Sequence, residues 1–174
     1  MLVKYKKVYP FFNGMKGQLK DRPLFELNLR KYEKPSDLNE RELSKRICLS
    51  LGLLQPGDSR DVVVDIFLAL LNAYSEGKIL SSRDVENFVF DYRNKNGLPL
   101  TGITPSNINR QLHRIRDVGL IEKVENGFRI REFLPLEQIF TEYFLPHVLD
   151  PLLERIKLYL KEADKHFSRE KQKI

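Results

Sequence analysis

A chain of 174 residues, 41% hydrophobic and 31% charged, has enough apolar content for a normal core and enough charge for a well-solvated exterior. Its most apolar stretch, residues 62–71, falls well short of the roughly 20 residues a membrane-spanning helix needs, and its single cysteine, Cys48, excludes an internal disulfide and a cysteine-based zinc site. The net charge of +6 sits at one end: residues 1–57 carry 12 Lys/Arg against 6 Asp/Glu, while residues 58–132 (11 of each) and 133–174 (7 of each) are neutral. A basic end fits a polyanion partner. With no apolar run and cleavage site at Met1–Lys4, no secretory signal and a cytoplasmic location are expected, with no membrane partner.

The first 35 residues read as an irregular or extended arm. Lys4, Lys6, Lys7, Lys16 and Lys20 precede the first acid, Asp21, and alternate with Tyr5, Tyr9, Phe11 and Phe12. Such a pattern suits either a strand packed on the domain or an arm that embraces DNA. Residues 25–30 alternate apolar and polar, as a half-buried strand does. A helix is then predicted to start at Asp37, with Glu40 as its capping-box partner, an apolar face of Leu43, Ile47, Leu51 and Leu54, and a stop at Pro56-Gly57. The next runs from about Ser59 to Ser75 and is apolar on most of its circumference, the mark of a buried central helix.

Ser81 and Ser82 can cap a third helix bearing Val85, Phe88, Val89 and Tyr92, after which Arg93 to Gly102 reads as a long polar connection whose Arg93 and Lys95 are free for contacts. Thr104 is a good N-cap and Pro105 a good first residue for the following helix, over 105–118, which Gly119 ends. Leu120 to Val124 and Phe128 to Arg131 are predicted strands around Asn126-Gly127, the strongest two-residue hairpin signal. Pro135 opens a helix with Leu136, Ile139, Phe140, Tyr143 and Phe144, and Asp150-Pro151 opens the last. There, Leu149, Leu153, Ile156, Leu160, Ala163 and Phe167 follow the alternating 4, 3 spacing of a coiled-coil seam, which suits either an intramolecular packing face or, as favoured here, dimerisation.

On a helical wheel the 105–118 helix has an apolar side of Ile108, Leu112, Ile115 and Val118. Opposite lie Ser106, Asn109, Arg110, His113, Arg114 and Asp117, with Asn107 and Arg116 at the edges. Arg and Asn make paired hydrogen bonds to guanine and adenine edges, and the first-turn N–H groups suit a phosphate. Lys123, Arg129 and Arg131 supply cations along the hairpin.

The fold class is therefore mainly α with a small β-hairpin. It comprises a basic arm and helix (1–57), a central domain (58–132) and C-terminal helices (133–174). Ser81-Ser82-Arg83-Asp84-Val85, Thr104-Pro105-Ser106-Asn107-Ile108, and Val118 to Lys123 leading to a hairpin that ends Gly127-Phe128-Arg129-Ile130 resemble the winged helix-turn-helix transcription regulators of prokaryotic and archaeal type. The resemblance covers under half of the chain. It implies a third helix that reads bases and a wing that grips phosphate or minor groove, with Asn107, Arg110, His113 and Arg114 as base readers and Arg129 and Arg131 on the wing. One departure is the dozen residues between the second and third helices, where the family uses a tight turn; that loop either adds contacts through Arg93 and Lys95 or blocks the usual docking. The implied partner is double-stranded DNA, read by a homodimer. The alternative is a winged-helix module that binds protein in a transcription, replication or chromosome-organising complex, which the neutral charge of residues 58–132 favours. Catalysis is not expected: His113, His147 and His166 are scattered, Cys48 has no nearby His, and the loop at Gly97 and Gly102 lacks the Lys-Ser/Thr of a phosphate loop. No metal or cofactor is expected.

Overall fold

The computed structural model describes residues 37–58 and 60–168. The lysine-rich arm, the strand expected at 25–30 and the tail beyond Ser168 lie outside the described residues. The chain is mainly helical, with a small three-stranded antiparallel sheet. In order come α1 (Glu40–Ser50), α2 (Val62–Ser75), β1 (Leu80–Ser81), α3 (Ser82–Lys95), α4 (Pro105–Asp117), β2 (Ile121–Val124), β3 (Gly127–Ile130), a 3₁₀ turn (Arg131–Phe133), α5 (Leu136–Ile139), a π-helical stretch (Phe140–Leu149) and α6 (Asp150–Phe167).

Helix α2 is the centre. Every residue from Val62 to Leu70 is buried, and α1, α3, α4 and β3 all pack on it. Nine consecutive buried positions use the whole circumference, so even an aspartate in that run, Asp65, is fully enclosed. Its charge is met from two sides. Arg41 of α1 donates from Nε to Asp65 Oδ1 at 2.7 Å and from Nη2 to Asp61 Oδ2 at 2.8 Å. Arg93 of α3 donates to Asp61 Oδ1 and holds Nε 3.4 Å from Asp65 Oδ2, an ion contact without hydrogen-bond alignment. Burial pushes the Asp65 carboxyl above its ordinary value against the pull of Arg41 and Arg93. Burial also works against the Arg41 cation, but hydrogen bonds and charge from Asp65 and Asp61 outweigh it and raise its pKa. Arg41 keeps one edge in water whereas Asp65 keeps none, which is why the two balances come out differently.

Arg93 is therefore not a loop cation. Residues 93–95, expected in the connection, form the last turn of α3, because the ion pair with Asp61 is stronger than the local preference of Asn and Gly for a loop. The connection shrinks to 96–104. Helix α1 starts later than Asp37, which has φ 56 and cannot serve as an extended cap. Asn39 caps instead, accepting from the Glu42 N–H at 2.9 Å while Glu42 accepts from the Asn39 N–H. The buried face is correspondingly Ser44 and Cys48, with the Ser44 hydroxyl donating to Val64 O at 2.8 Å, while Leu43 is exposed. The helix stops at Ser50, and Leu51, Leu53 and Leu54 beyond it join the same core as α2. Helix α2 itself begins at Val62, after Asp61, rather than near Ser59.

Two strand details differ from expectation. Strand β1 went unforeseen, since two residues are too few for an alternating pattern. In the hairpin, Val124 pairs with Gly127, so the turn residues are Glu125 (φ 53) and Asn126, not Asn126 and Gly127. Gly127 is taken by the sheet: β3 lies between β1 and β2, and Gly127 stands opposite Ser81. A Cβ there would fall on Cγ2 of Ile79 and 3.0 Å from the Leu80 carbonyl oxygen.

After β3 the chain reverses through Glu132 and Phe133, both left-handed at φ 50 and 52. From Leu136 it is continuously helical to Phe167. Asp150-Pro151 does not open a separate helix: Leu149 and Asp150 have helical φ and ψ, and no side chain caps α6. Ile139 and Phe144 seal the core, while α6 contributes no buried residue.

Arg93→Ala should lower stability by about 3–5 kcal/mol, because it strands the enclosed Asp65 with one partner; urea denaturation that differs little from wild type would contradict the cluster. Gly127→Val should cost about 1–3 kcal/mol by prising β1 from β3, read as a lowered Tm. An unchanged Tm would mean that the two strands do not approach as described.

Candidate nucleic-acid interface

Helix α4 begins where local chemistry dictates. Thr104 accepts from the Asn107 N–H at 3.3 Å and Pro105 supplies a preset first residue. Ile108, Gln111, Leu112 and Ile115 face inward, and Gly119 at φ 90 turns the chain into β2. Helices α3 and α4 pack on each other, pinned by the Ser82 hydroxyl donating to Asn109 Oδ1 at 2.7 Å.

The outer face is polar as expected. Ser106, Arg110, His113 and Arg114 are exposed, and Asn107 and Asn109 are half-buried. The side chains are held by a chain of bonds along the helix. Asn107 donates from Nδ2 to Gly102 O at 2.7 Å, and its Oδ1 accepts from Arg110 Nη2 at 2.7 Å and from Gln111 Nε2 at 3.3 Å. Gln111 Oε1 in turn accepts from Arg114 Nη1 at 2.8 Å, and Arg114 Nη2 reaches Gly52 O at the end of α1. Asn109 donates back to Pro105 O at 3.0 Å, and His113 stands edge-on to Phe128. The amides of Asn107 and Asn109 are thus spent within the fold, whereas the Arg110 guanidinium commits one of its five donors and Arg114 two.

The hairpin cations divide. Lys123 is exposed. Arg129 donates to Glu122 Oε1 at 2.8 Å and covers the Phe133 ring at 4.9 Å; Arg131 donates to Gly119 O at 2.9 Å and covers the Tyr143 ring at 4.6 Å. Both arginines hold the hairpin to the elements around it. Burial would raise the Glu122 carboxyl, but the Glu132 N–H and the Arg129 ion pair, with Arg131 behind, outweigh it and hold the pKa below its ordinary value. Arg83, exposed beside Ser82 at the start of α3, is a further cation at this surface that the periodicity of α4 does not point to; the contact that brings this end of α3 to α4 spans 27 residues.

Among the described residues, no group of three or more His, Cys, Asp or Glu is placed to hold a metal ion, and no helix is long and apolar enough to cross a membrane. Burial pushes the Cys48 thiol up to about 12, so it stays protonated at neutral pH. No protein-family model matches the chain, and neither a curated protein nor a solved structure matches it.

A carboxylate with a depressed folded pKa stabilises the fold above its unfolded pKa, and that contribution fades as pH falls through the folded value. Glu122→Gln should therefore destabilise by about 1 kcal/mol at pH 7 and differ progressively less from wild type below the ordinary carboxylate range. Parallel pH-stability curves for the two proteins would show that Glu122 is not the anchor of Arg129 and the Glu132 turn.

Proposed function

We propose that this chain is a non-catalytic, sequence-specific binder of double-stranded DNA with a winged helix-turn-helix architecture. It acts as a cytoplasmic homodimeric transcription regulator, with α4 in the major groove and the β2–β3 hairpin as wing. One observation carries the reading: the order α2, β1, α3, α4, β2, β3, with strands arranged β1-β3-β2, leaves α4 with a polar, cationic outer face. A helix of this kind fits the major groove, with the hairpin beside it placed to reach the flanking backbone.

Within that reading the base-contacting roles concentrate on Arg110 and Arg114, whose guanidinium forks match guanine edges, with His113 beside them. Ser106 and the first-turn N–H groups take a phosphate. Asn107 positions Arg110 and Asn109 ties α4 to α3, rather than reading bases, because their amides are engaged by Gly102 O and Arg110 and by Ser82 and Pro105 O. Lys123 is the wing contact. The inward engagement of Arg129 and Arg131 favours the second reading, a winged-helix module that binds protein, because it leaves the hairpin one exposed cation of its three.

Fluorescence anisotropy on a labelled mixed-sequence duplex of about two helical turns separates the readings. The wild type should bind, and more weakly as salt rises from low to near-physiological concentration. Arg110→Ala/Arg114→Ala should abolish binding, while Arg129→Ala should change affinity little. No wild-type binding at low salt would sink the DNA reading and bring the protein-binding module forward.

A further inference from the structure

The distal helix is open on every side. From Leu153 to Phe167 every side chain of α6 is exposed, including Leu153 (44%), Ile156 (47%), Leu160 (61%) and Phe167 (85%). Solitary exposed apolar residues need no explanation, but a contiguous stripe of them marks a contact surface. Leu149, the first residue of the seam read from the sequence, is half-buried against its own core, so the seam open to a partner begins at Leu153. Leu153, Leu160 and Phe167 take the a positions and Ile156 and Ala163 the d positions. Asp150, Lys157 and Asp164 then fall at e, and Leu152, Tyr159 and His166 at g.

We propose that a second copy of this chain packs along the seam in parallel and in register, forming a two-stranded coiled coil from Leu153 to Phe167. The flanking residues select this arrangement. In parallel, g meets the e of the next heptad, so Leu152 faces the stem of Lys157 of the other copy and Tyr159 can donate its hydroxyl to Asp164; no like charges meet. Antiparallel pairing sets a against d and e against e: Leu153 meets Ala163 and Ile156 meets Leu160 while Phe167 is left outside, and Lys157 opposes Lys157 and Asp150 opposes Asp164. Slipping that arrangement by one heptad brings Lys157 to Asp164 but leaves Leu153 uncovered. Leu at a and Ile at d would by packing alone favour more than two strands, but these would draw the charged e positions out of water, which three charges per helix oppose.

The inference rests on the homodimer of the proposed function and specifies its geometry, independently of what α4 binds. In a parallel pair both α4-bearing units leave the same end of the coiled coil and can address one duplex as a two-fold pair, so the DNA site would be an inverted repeat. An antiparallel pair would place the starts of the two α6 helices about 25 Å apart at opposite ends.

The test uses the full chain. Sedimentation equilibrium at tens of micromolar should give twice the 20.5 kDa chain mass, and Leu160→Lys should give the single mass with an unchanged thermal melt of the remaining fold. Ala163→Cys, a d-position thiol that meets its own copy only in the parallel register, should oxidise to a covalent dimer. Lys161→Cys, on the outer face, should not, and wild type should stay uncrosslinked because Cys48 is buried. A monomeric or tetrameric wild type, or a dimer in which Ala163→Cys fails to link, would overturn the proposal. Cross-linking without DNA binding would remove only the DNA reading, and DNA binding by a monomer only this one.

Discussion

A carboxylate enclosed on all sides must be met by cations, and Asp65 imposes that demand at the heart of the core helix. Among the described residues only Arg41 and Arg93 meet it, one from α1 and one from α3, and each also engages Asp61 one turn earlier. Apolar side chains tolerate small shifts of one helix over another, but four paired charges around an enclosed carboxylate do not. Replacing such a cluster with well-packed hydrophobic residues is often neutral or stabilising, so its value lies in fixing where the helices sit. The structure fits that role: α1 and α3 are placed on α2 by their charges as well as by their apolar faces.

The outer surface inherits this placement. Helix α3 carries Ser82, whose hydroxyl holds Asn109, and Gly52, just beyond the end of α1, has a carbonyl that accepts from Arg114. Arg110 and Arg114 of α4 are then tied through Asn107 and Gln111 into a ladder along one side of the helix. Two long side chains that would otherwise sample many rotamers are partly ordered in advance, which reduces the entropy lost on engaging a ligand. The hairpin shows the opposite use of cations: Arg129 and Arg131 serve as internal fasteners, each over an aromatic ring and each donating to an oxygen of the fold.

Much of the fold could be read from local signals, and its failures share a cause. Ser81 and Thr104 begin their helices as expected because capping involves only the next three residues. Asp37 and Asn39 both precede an acid three positions on, and what decides between them is a backbone angle at Asp37 that no spacing encodes. Arg93 looked like part of a polar loop because its partner Asp61 lies 32 residues away. Gly127 carried a true turn signal that was displaced by one residue, since a strand too short to notice needed that glycine more. The polar face of α4 was likewise legible from periodicity. The tethering of Asn107, Asn109, Arg129 and Arg131 was not, because it depends on neighbours brought in by the tertiary fold.

The π-helical stretch from Phe140 to Leu149 has a geometric consequence for everything beyond it. Each residue of an α-helix advances about 100° around the axis and 1.5 Å along it, so the winding of those ten residues sets the compass bearing of the α6 stripe relative to α4. Deleting one residue there would swing the stripe by about a quarter-turn while leaving both ends of the molecule chemically intact. The bearing of the stripe is therefore a property separate from its hydrophobicity, and it is written in the length of the segment that leads into it.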